Sequence, residues 1–172
     1  MKKEIKLYNV MFPIWFLWLF PETWIFVLPA NFFIDLLVLV LVMKHLNITD
    51  IRRRAGKSIL RVWLLGFAAD FVGGFFMLLA SLMEYDQNTA LGNWLYENLT
   101  NSVMFNPFEN IAAFLWVTVC TLLSGALIYL FNVKFCLRKA ELSEEHRRKV
   151  ALAMAVFTAP YLFYFPSILL YR

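Results

Sequence analysis

Residues 62–79 read VWLLGFAADFVGGFFMLL, and residues 28–43 read LPANFFIDLLVLVLVM. Both stretches lie in runs apolar enough for a membrane-crossing helix, which needs ~20 predominantly apolar residues. Each also carries one acid near its middle, Asp35 in the earlier stretch and Asp70 in the later one. An acid at bilayer depth costs about 3 kcal/mol on insertion. We therefore expect each of these acids to have a partner or a function.

The composition of the chain is typical of a membrane protein. Of the 172 residues, 62% are hydrophobic and 16% are charged, whereas a soluble domain has ~45–50% apolar and ~25% charged residues. Each membrane crossing takes ~20 residues and a connector, so the length allows about four or five crossings. We predict a single integral membrane domain over residues 1–172. It lacks the soluble surface that a nucleic-acid-binding protein needs.

Five apolar segments account for most of the chain. The last four are long enough to span a bilayer, whereas the first has 16 residues, or ~24 Å of helix. The sequence predicts an all-α membrane protein. It would be a bundle of four spanning helices plus an N-terminal helix that is re-entrant or forms a hairpin. The five segments are residues 5–20, 21–43, 59–83, 111–133 and 150–171.

The basic residues predict the orientation in a cell membrane. Six of the 16 lie in or beside the connector 44–58, six lie in the connector 134–149, and the connector 84–110 has none. Cytoplasmic loops carry the Lys and Arg excess. We therefore predict a multi-pass protein with loops 44–58 and 134–149 cytoplasmic and loop 84–110 extracytoplasmic. Lys2, Lys3 and Lys6 are inside if residues 5–43 form a hairpin, and outside if they form one broken span.

The connectors also carry local signals. Ser143 before two glutamates is typical of a helix N-cap with an acidic first turn, and Thr49-Asp50 can cap the helix that begins at Ile51. The connector 84–110 has apolar residues at helical spacing, which predicts a short amphipathic helix on the outer leaflet. These residues are Leu91, Trp94, Leu95 and Leu99.

Asp35 and Asp70 are predicted to lie at matched depth in neighbouring helices. Asp35 is nine residues before Lys44, and Asp70 is nine residues after Arg61, so each lies ~13 Å from the basic boundary. Two carboxylates in one low-dielectric pocket cannot easily both be charged. Such a pair can accept a proton, a metal ion or a cationic solute. The candidate ion- or solute-binding residues are Asp35, Asp70, Asn31, Thr121, Ser124 and Tyr161.

The two acids have an alternative, structural role, in which each one joins two helices by a hydrogen bond. Such bonds average only ~0.6 kcal/mol in membranes, which is less than the ~3 kcal/mol that inserting an acid costs. The binding site is therefore favoured over the structural role. The leading functional hypothesis is a small transporter or channel-like protein with an intramembrane carboxylate site.

Two other functional classes stay open. A non-catalytic membrane subunit or assembly factor would dock a partner through small residues spaced by four, which allow close helix approach. A lipid enzyme would use the same carboxylates, but the sequence has no G-x-S-x-G, Walker or H-E-x-x-H motif. An enzyme is therefore not favoured, and no cofactor is expected. The small residues are Gly66, Ala69, Gly73, Gly74, Ala151, Ala155 and Ala159.

The expected partners are the lipid bilayer and either a second copy of the chain or another membrane protein. A basic run in the first cytoplasmic loop can contact anionic lipid headgroups, although topology alone also explains it. No metal site is predicted, because His45 and His146 lie in different loops without Cys or His at ligand spacing. The residues of the basic run are Arg52, Arg53, Arg54 and Lys57.

Overall fold

The computed structural model describes residues 21–171, in which helices are joined by turns and short irregular stretches and no strand occurs. Three helices are long and apolar enough to cross a membrane: Pro21–His45, Ile51–Leu82 and Ile111–Ala140. This confirms the predicted all-α membrane class. The predicted N-terminal hairpin or re-entrant helix, residues 5–20, lies outside the described residues.

The first two helices are joined by a short turn. Helix α1 spans Trp24–His45 and helix α2 spans Ile51–Leu82. Asn47 and Asp50 in the turn have left-handed backbone conformations, with φ of 52° and 53°. The predicted cap by Thr49-Asp50 is wrong, because no side chain caps the first turn of α2. The left-handed conformation of Asp50 differs from the extended one that capping residues usually adopt.

The connector 84–110 is mostly helical, as predicted. Helix α3 spans Ala90–Leu95, a π-helical turn follows over Tyr96–Asn101, and helix α4 spans Ser102–Phe105. The Thr100 hydroxyl donates a 2.9 Å hydrogen bond to the Ala80 carbonyl near the end of α2. This bond holds the connector against the bundle, and its contact with the outer leaflet stays a prediction.

Helix α5 spans Ile111–Phe131 and continues through a π-helical turn, Asn132–Cys136, and a 3-10 turn, Leu137–Ala140. Helix α6 then spans Glu144–Phe157. The Ser143 side chain accepts a 3.2 Å hydrogen bond from the backbone N–H of His146. This confirms the predicted N-cap.

The last apolar segment is not one continuous helix. Helix α6 ends at Phe157, and 3-10 turns follow over Tyr161–Tyr164 and Ser167–Tyr171. Pro160 and Pro166 explain the breaks, because proline has no N–H to donate and disfavours helical backbone in the residue before it. The predicted span over residues 150–171 is therefore broken, and the count of four spanning helices stays a prediction.

Helix α2 packs against α1 and α5, and α6 packs against the same two helices, so the four form a ring. Two apolar clusters fill the interior. The cluster nearer the basic loops includes Met43, Val62 and Met154, and the other includes Met77 and Phe163. Along α1, α2, α5 and the segment that follows α6, the predicted polar residues lie between the part that joins one cluster and the part that joins the other. The bundle therefore has a polar layer between two apolar layers.

Candidate functional site

A cavity of about 380 Å³ lies in the polar layer, where α1 and α2 face the broken end of α6. Both intramembrane acids line it, as do Asn31 and Tyr161. Four of the six predicted binding residues therefore surround one space. The other lining residues are mostly apolar or come from the break: Ile34, Gly66, Ile128, Phe157, Thr158, Ala159, Pro160, Leu162, Tyr164 and Phe165.

Asp35 reaches the cavity from α1 over a glycine on α2. Its side chain is buried, with 6% exposure. A Cβ atom at Gly66 would lie 3.5 Å from Asp35 Oδ2, which is ordinary van der Waals contact. A methyl group would therefore just fit at position 66, and the carboxyl group lies close to the backbone of α2 there.

The Thr158 hydroxyl lies next to the Asp35 carboxyl group. It donates a 2.8 Å hydrogen bond to the Met154 carbonyl. A hydroxyl has one proton to donate and two lone pairs that accept. With its proton engaged at Met154, the Thr158 oxygen is left as an acceptor, which suits a protonated carboxyl or a cation in the cavity.

Asp70 is the most deeply buried charged residue among residues 21–169, with 4% exposure. Its Oδ1 atom is buried and has no hydrogen-bond partner within the described part of the chain. Leaving a buried polar atom unpaired is costly, about 1–3 kcal/mol and more for a charged group. A proton, a water molecule or a cation in the cavity would supply the missing partner.

The remaining cavity residues supply amide and hydroxyl groups. Asn31 is half-buried one helical turn before Asp35, on the same face of α1. The Tyr161 hydroxyl donates a 2.5 Å hydrogen bond to the Val156 carbonyl across the break in α6. Tyr164, which the sequence analysis missed, lines the cavity and donates a 2.9 Å hydrogen bond to the Thr118 hydroxyl. Pro160 and Pro166, on either side of Tyr164, were the available signal that this segment is not a regular helix.

Thr121 and Ser124 do not line this cavity. The Thr121 hydroxyl donates a 2.9 Å hydrogen bond to the Val117 carbonyl and lines a separate space between α5 and α6. Ser124 is fully buried against Gly73, and its hydroxyl has no hydrogen-bond partner among the described residues. The rotation of α5 directs Ser124 towards Gly73 of α2 and Thr121 towards α6, so neither lines the cavity with Asp35.

The basic run lies in the first two turns of α2 and divides into two pairs. Arg54 donates hydrogen bonds to the backbone carbonyls of Ala140, at 2.9 Å, and Glu141. Lys57 forms a 2.5 Å ion pair with the Glu141 side chain, and this contact lowers the pKa of Glu141. Arg52 and Arg53 are exposed. Two of the four predicted headgroup contacts therefore hold the two basic loops together.

Among residues 21–171, no three His, Cys, Asp or Glu side chains come close enough to hold a metal ion. Comparison with known proteins gives no match to a family model, to a curated protein or to a solved structure. The functional argument therefore rests on the cavity and its residues.

Proposed function

We propose that this protein is a small transporter or channel-like protein of the cell membrane in which Asp35 and Asp70 bind a proton or a small cation. One observation carries the proposal: acids from two neighbouring helices line the same cavity, beside the broken end of a third helix. Ionisable residues inside a membrane mark ion or solute pathways by default.

The break in α6 supports the same function. Irregular backbone at membrane depth is tolerated only where protein buries it or where it lines a water-filled cavity. Membrane transport proteins place their sites at such interrupted helices, whose free backbone groups meet the substrate. Here residues 158–160 interrupt the helical segment and line the cavity with the two acids.

The packing of the small residues favours a transporter or channel-like protein over a subunit that docks a partner through these residues. Gly73 packs against Ser124 of α5, and Gly66 packs against Asp35 of α1. Ala69 and Ala151 are fully buried within the chain. Because these faces pack against helices of the same chain, they leave little small-residue surface for a partner.

We further propose the membrane arrangement from the charge pattern. Loops 44–58 and 134–149 are cytoplasmic, and loop 84–110 is extracytoplasmic. Residues 150–171 complete a fourth crossing as an interrupted segment. The contacts of Arg54 with Ala140 and Glu141 support this arrangement, because they hold both basic loops at one end of the bundle.

The test is flux through purified protein in liposomes. A pH-sensitive dye inside the liposomes reports proton movement, and dyes selective for Na⁺ or K⁺ report the cations. We expect a flux that Asp35→Asn and Asp70→Asn each reduce to the level of protein-free liposomes. Asp50→Asn is the matched control, because Asp50 is an exposed acid in the turn before α2. It should leave the flux unchanged.

Two outcomes would overturn the proposal. One is that the wild-type protein moves neither protons nor either cation. The other is that both asparagine variants, folded as judged by their helical circular dichroism, conduct as well as the wild type.

A further inference from the structure

A groove separate from the carboxylate cavity lies at the basic end of the bundle, between α2 and the extension of α5. Its volume is about 620 Å³. Four cations surround it, and no acidic side chain lines it. The apolar residues among them are Leu65, Phe131 and Phe135. The cations are Arg61, Lys134, Arg138 and Lys139.

These four cations differ from the other basic residues near the loops. All four are exposed, and none forms a salt bridge or a side-chain hydrogen bond with another residue of the described chain. By contrast, Lys57 pairs with Glu141, and Lys149 pairs with Glu145. The groove therefore holds a concentration of positive charge that the protein itself leaves uncompensated.

We propose that this groove binds an anionic phospholipid. Its phosphate would lie among the four cations, and one acyl chain would run over the apolar side chains. Basic pockets between helices at the cytoplasmic end of a membrane protein bind anionic headgroups in this way. This proposal is independent of the carboxylate site, since the two share no lining residue.

The apolar part of the groove favours a lipid over a free phosphate. Phe135 is 54% exposed and lines the groove together with Lys134 and Arg138. A soluble anion would bind the four basic side chains and leave the Phe135 ring exposed. An acyl chain would cover it and bury apolar area, which is stabilising.

The backbone explains why the groove forms here. Residues Asn132–Cys136 are π-helical rather than α-helical, and single π-helical turns in longer helices are frequent at functional sites. The 3-10 turn that follows, Leu137–Ala140, brings Arg138 and Lys139 back to the edge of α2. The change in helix type therefore gathers cations from two turns around one groove.

The test is native mass spectrometry of the full-length protein released from detergent. The protein is mixed with equal amounts of phosphatidylglycerol and phosphatidylcholine that carry the same acyl chains. We expect the wild type to retain one phosphatidylglycerol in preference to phosphatidylcholine. Glycerol phosphate, which has the headgroup charge but no acyl chain, should not displace it. Displacement by glycerol phosphate would instead assign the groove to a soluble anion and overturn the lipid proposal.

Two double variants separate this groove from general surface charge. Each lost cation weakens binding by about fivefold, so Arg61→Gln with Arg138→Gln should lower phosphatidylglycerol retention by about tenfold or more. Lys44→Gln with Arg148→Gln removes the same charge from exposed positions outside the groove and should change retention by about twofold or less. Equal losses in both double variants, or no preference for phosphatidylglycerol in the wild type, would overturn the proposal.

Discussion

At Gly73, helix α2 approaches α5 so closely that a side chain has no room. A Cβ atom there would overlap the Ser124 hydroxyl and would lie 2.9 Å from Phe163 Cε2 and 3.1 Å from the Cys120 carbonyl oxygen. The carbonyl belongs to the backbone of α5, so it cannot move without moving the helix. Gly73 therefore sets the distance between the two helices on one side of the polar layer.

Gly73→Ala should lower the free energy of unfolding by about 1–3 kcal/mol, because overpacking a well-packed interface forces backbone shifts. Gly56→Ala is the matched control, since its Cβ would meet nothing within 4 Å. In the helix interior it should be neutral or raise the free energy of unfolding by up to about 1 kcal/mol. Chemical unfolding in detergent, followed by circular dichroism, measures both. A Gly73→Ala variant as stable as the wild type would show that the helices are not in this contact.

Residue spacing predicted part of the site and missed part of it. Counting from the basic boundary predicts that Asp35 and Asp70 lie at one depth, and they line one cavity. Ser124 has the same polar character, yet it faces Gly73 instead. The spacing of polar residues shows which face of a helix is polar. The direction in which that face points depends on packing against neighbouring helices, which a single sequence does not specify.

At the scale of the elements, two side chains join the two basic loops: Lys57 pairs with the Glu141 side chain, and Arg54 contacts the backbone beside it. Arg54 is half-buried near the start of α2 and binds the carbonyls of Ala140 and Glu141, where the α5 extension ends. Glu141 has a left-handed backbone with φ of 55°. The guanidinium group thus supplies donors to carbonyl groups that the helix end leaves without partners.

Arg54→Gln should lower the free energy of unfolding by about 1–3 kcal/mol, since hydrogen bonds from a charged donor are lost and the carbonyls lose their partner. Arg53→Gln removes the same charge from the adjacent, exposed position and should change stability by less than about 0.5 kcal/mol. The comparison is read from thermal unfolding of both purified variants. Equal destabilisation would mean that the charge, and not the loop contact, stabilises the bundle.

The elements themselves were predictable to different degrees. Three apolar segments form long helices because their length and hydropathy leave no other structure that satisfies the backbone in lipid. The last segment is also apolar, but Pro160 and Pro166 interrupt it. The break is visible in the sequence, whereas the direction that the chain takes after it depends on contacts such as that of Tyr164 with Thr118.

At the scale of the whole molecule, the two ends of the bundle differ in charge. A single introduced cysteine reports which end is outside, and the native thiols do not interfere because Cys120 and Cys136 are buried. In intact cells, a membrane-impermeant maleimide should modify Asn93→Cys and should not modify Arg53→Cys or Glu144→Cys. Permeabilised cells are the control, because all three should then react. Modification of Arg53→Cys in intact cells would reverse the proposed orientation.

The N-terminal arrangement is a separate question with its own probe. If residues 5–43 form a hairpin, Lys3→Cys should be protected in intact cells, as Arg53→Cys is. If they form one broken span, Lys3→Cys should react from outside. The basic loops keep their sides in both cases, so this measurement distinguishes the two N-terminal arrangements without bearing on the carboxylate site.

If Asp35 and Asp70 share one site, their protonation is coupled, and pH-difference infrared spectroscopy of the purified protein measures that coupling. The absorption of protonated carboxyl groups is followed against pH in the wild type, in each single asparagine variant and in the double variant. The account predicts a signal that the double variant lacks, and coupled titration: in Asp35→Asn the midpoint of Asp70 should move by about one pH unit or more. Midpoints that do not change when the other acid is neutralised would show that the two acids titrate independently and would contradict the shared site.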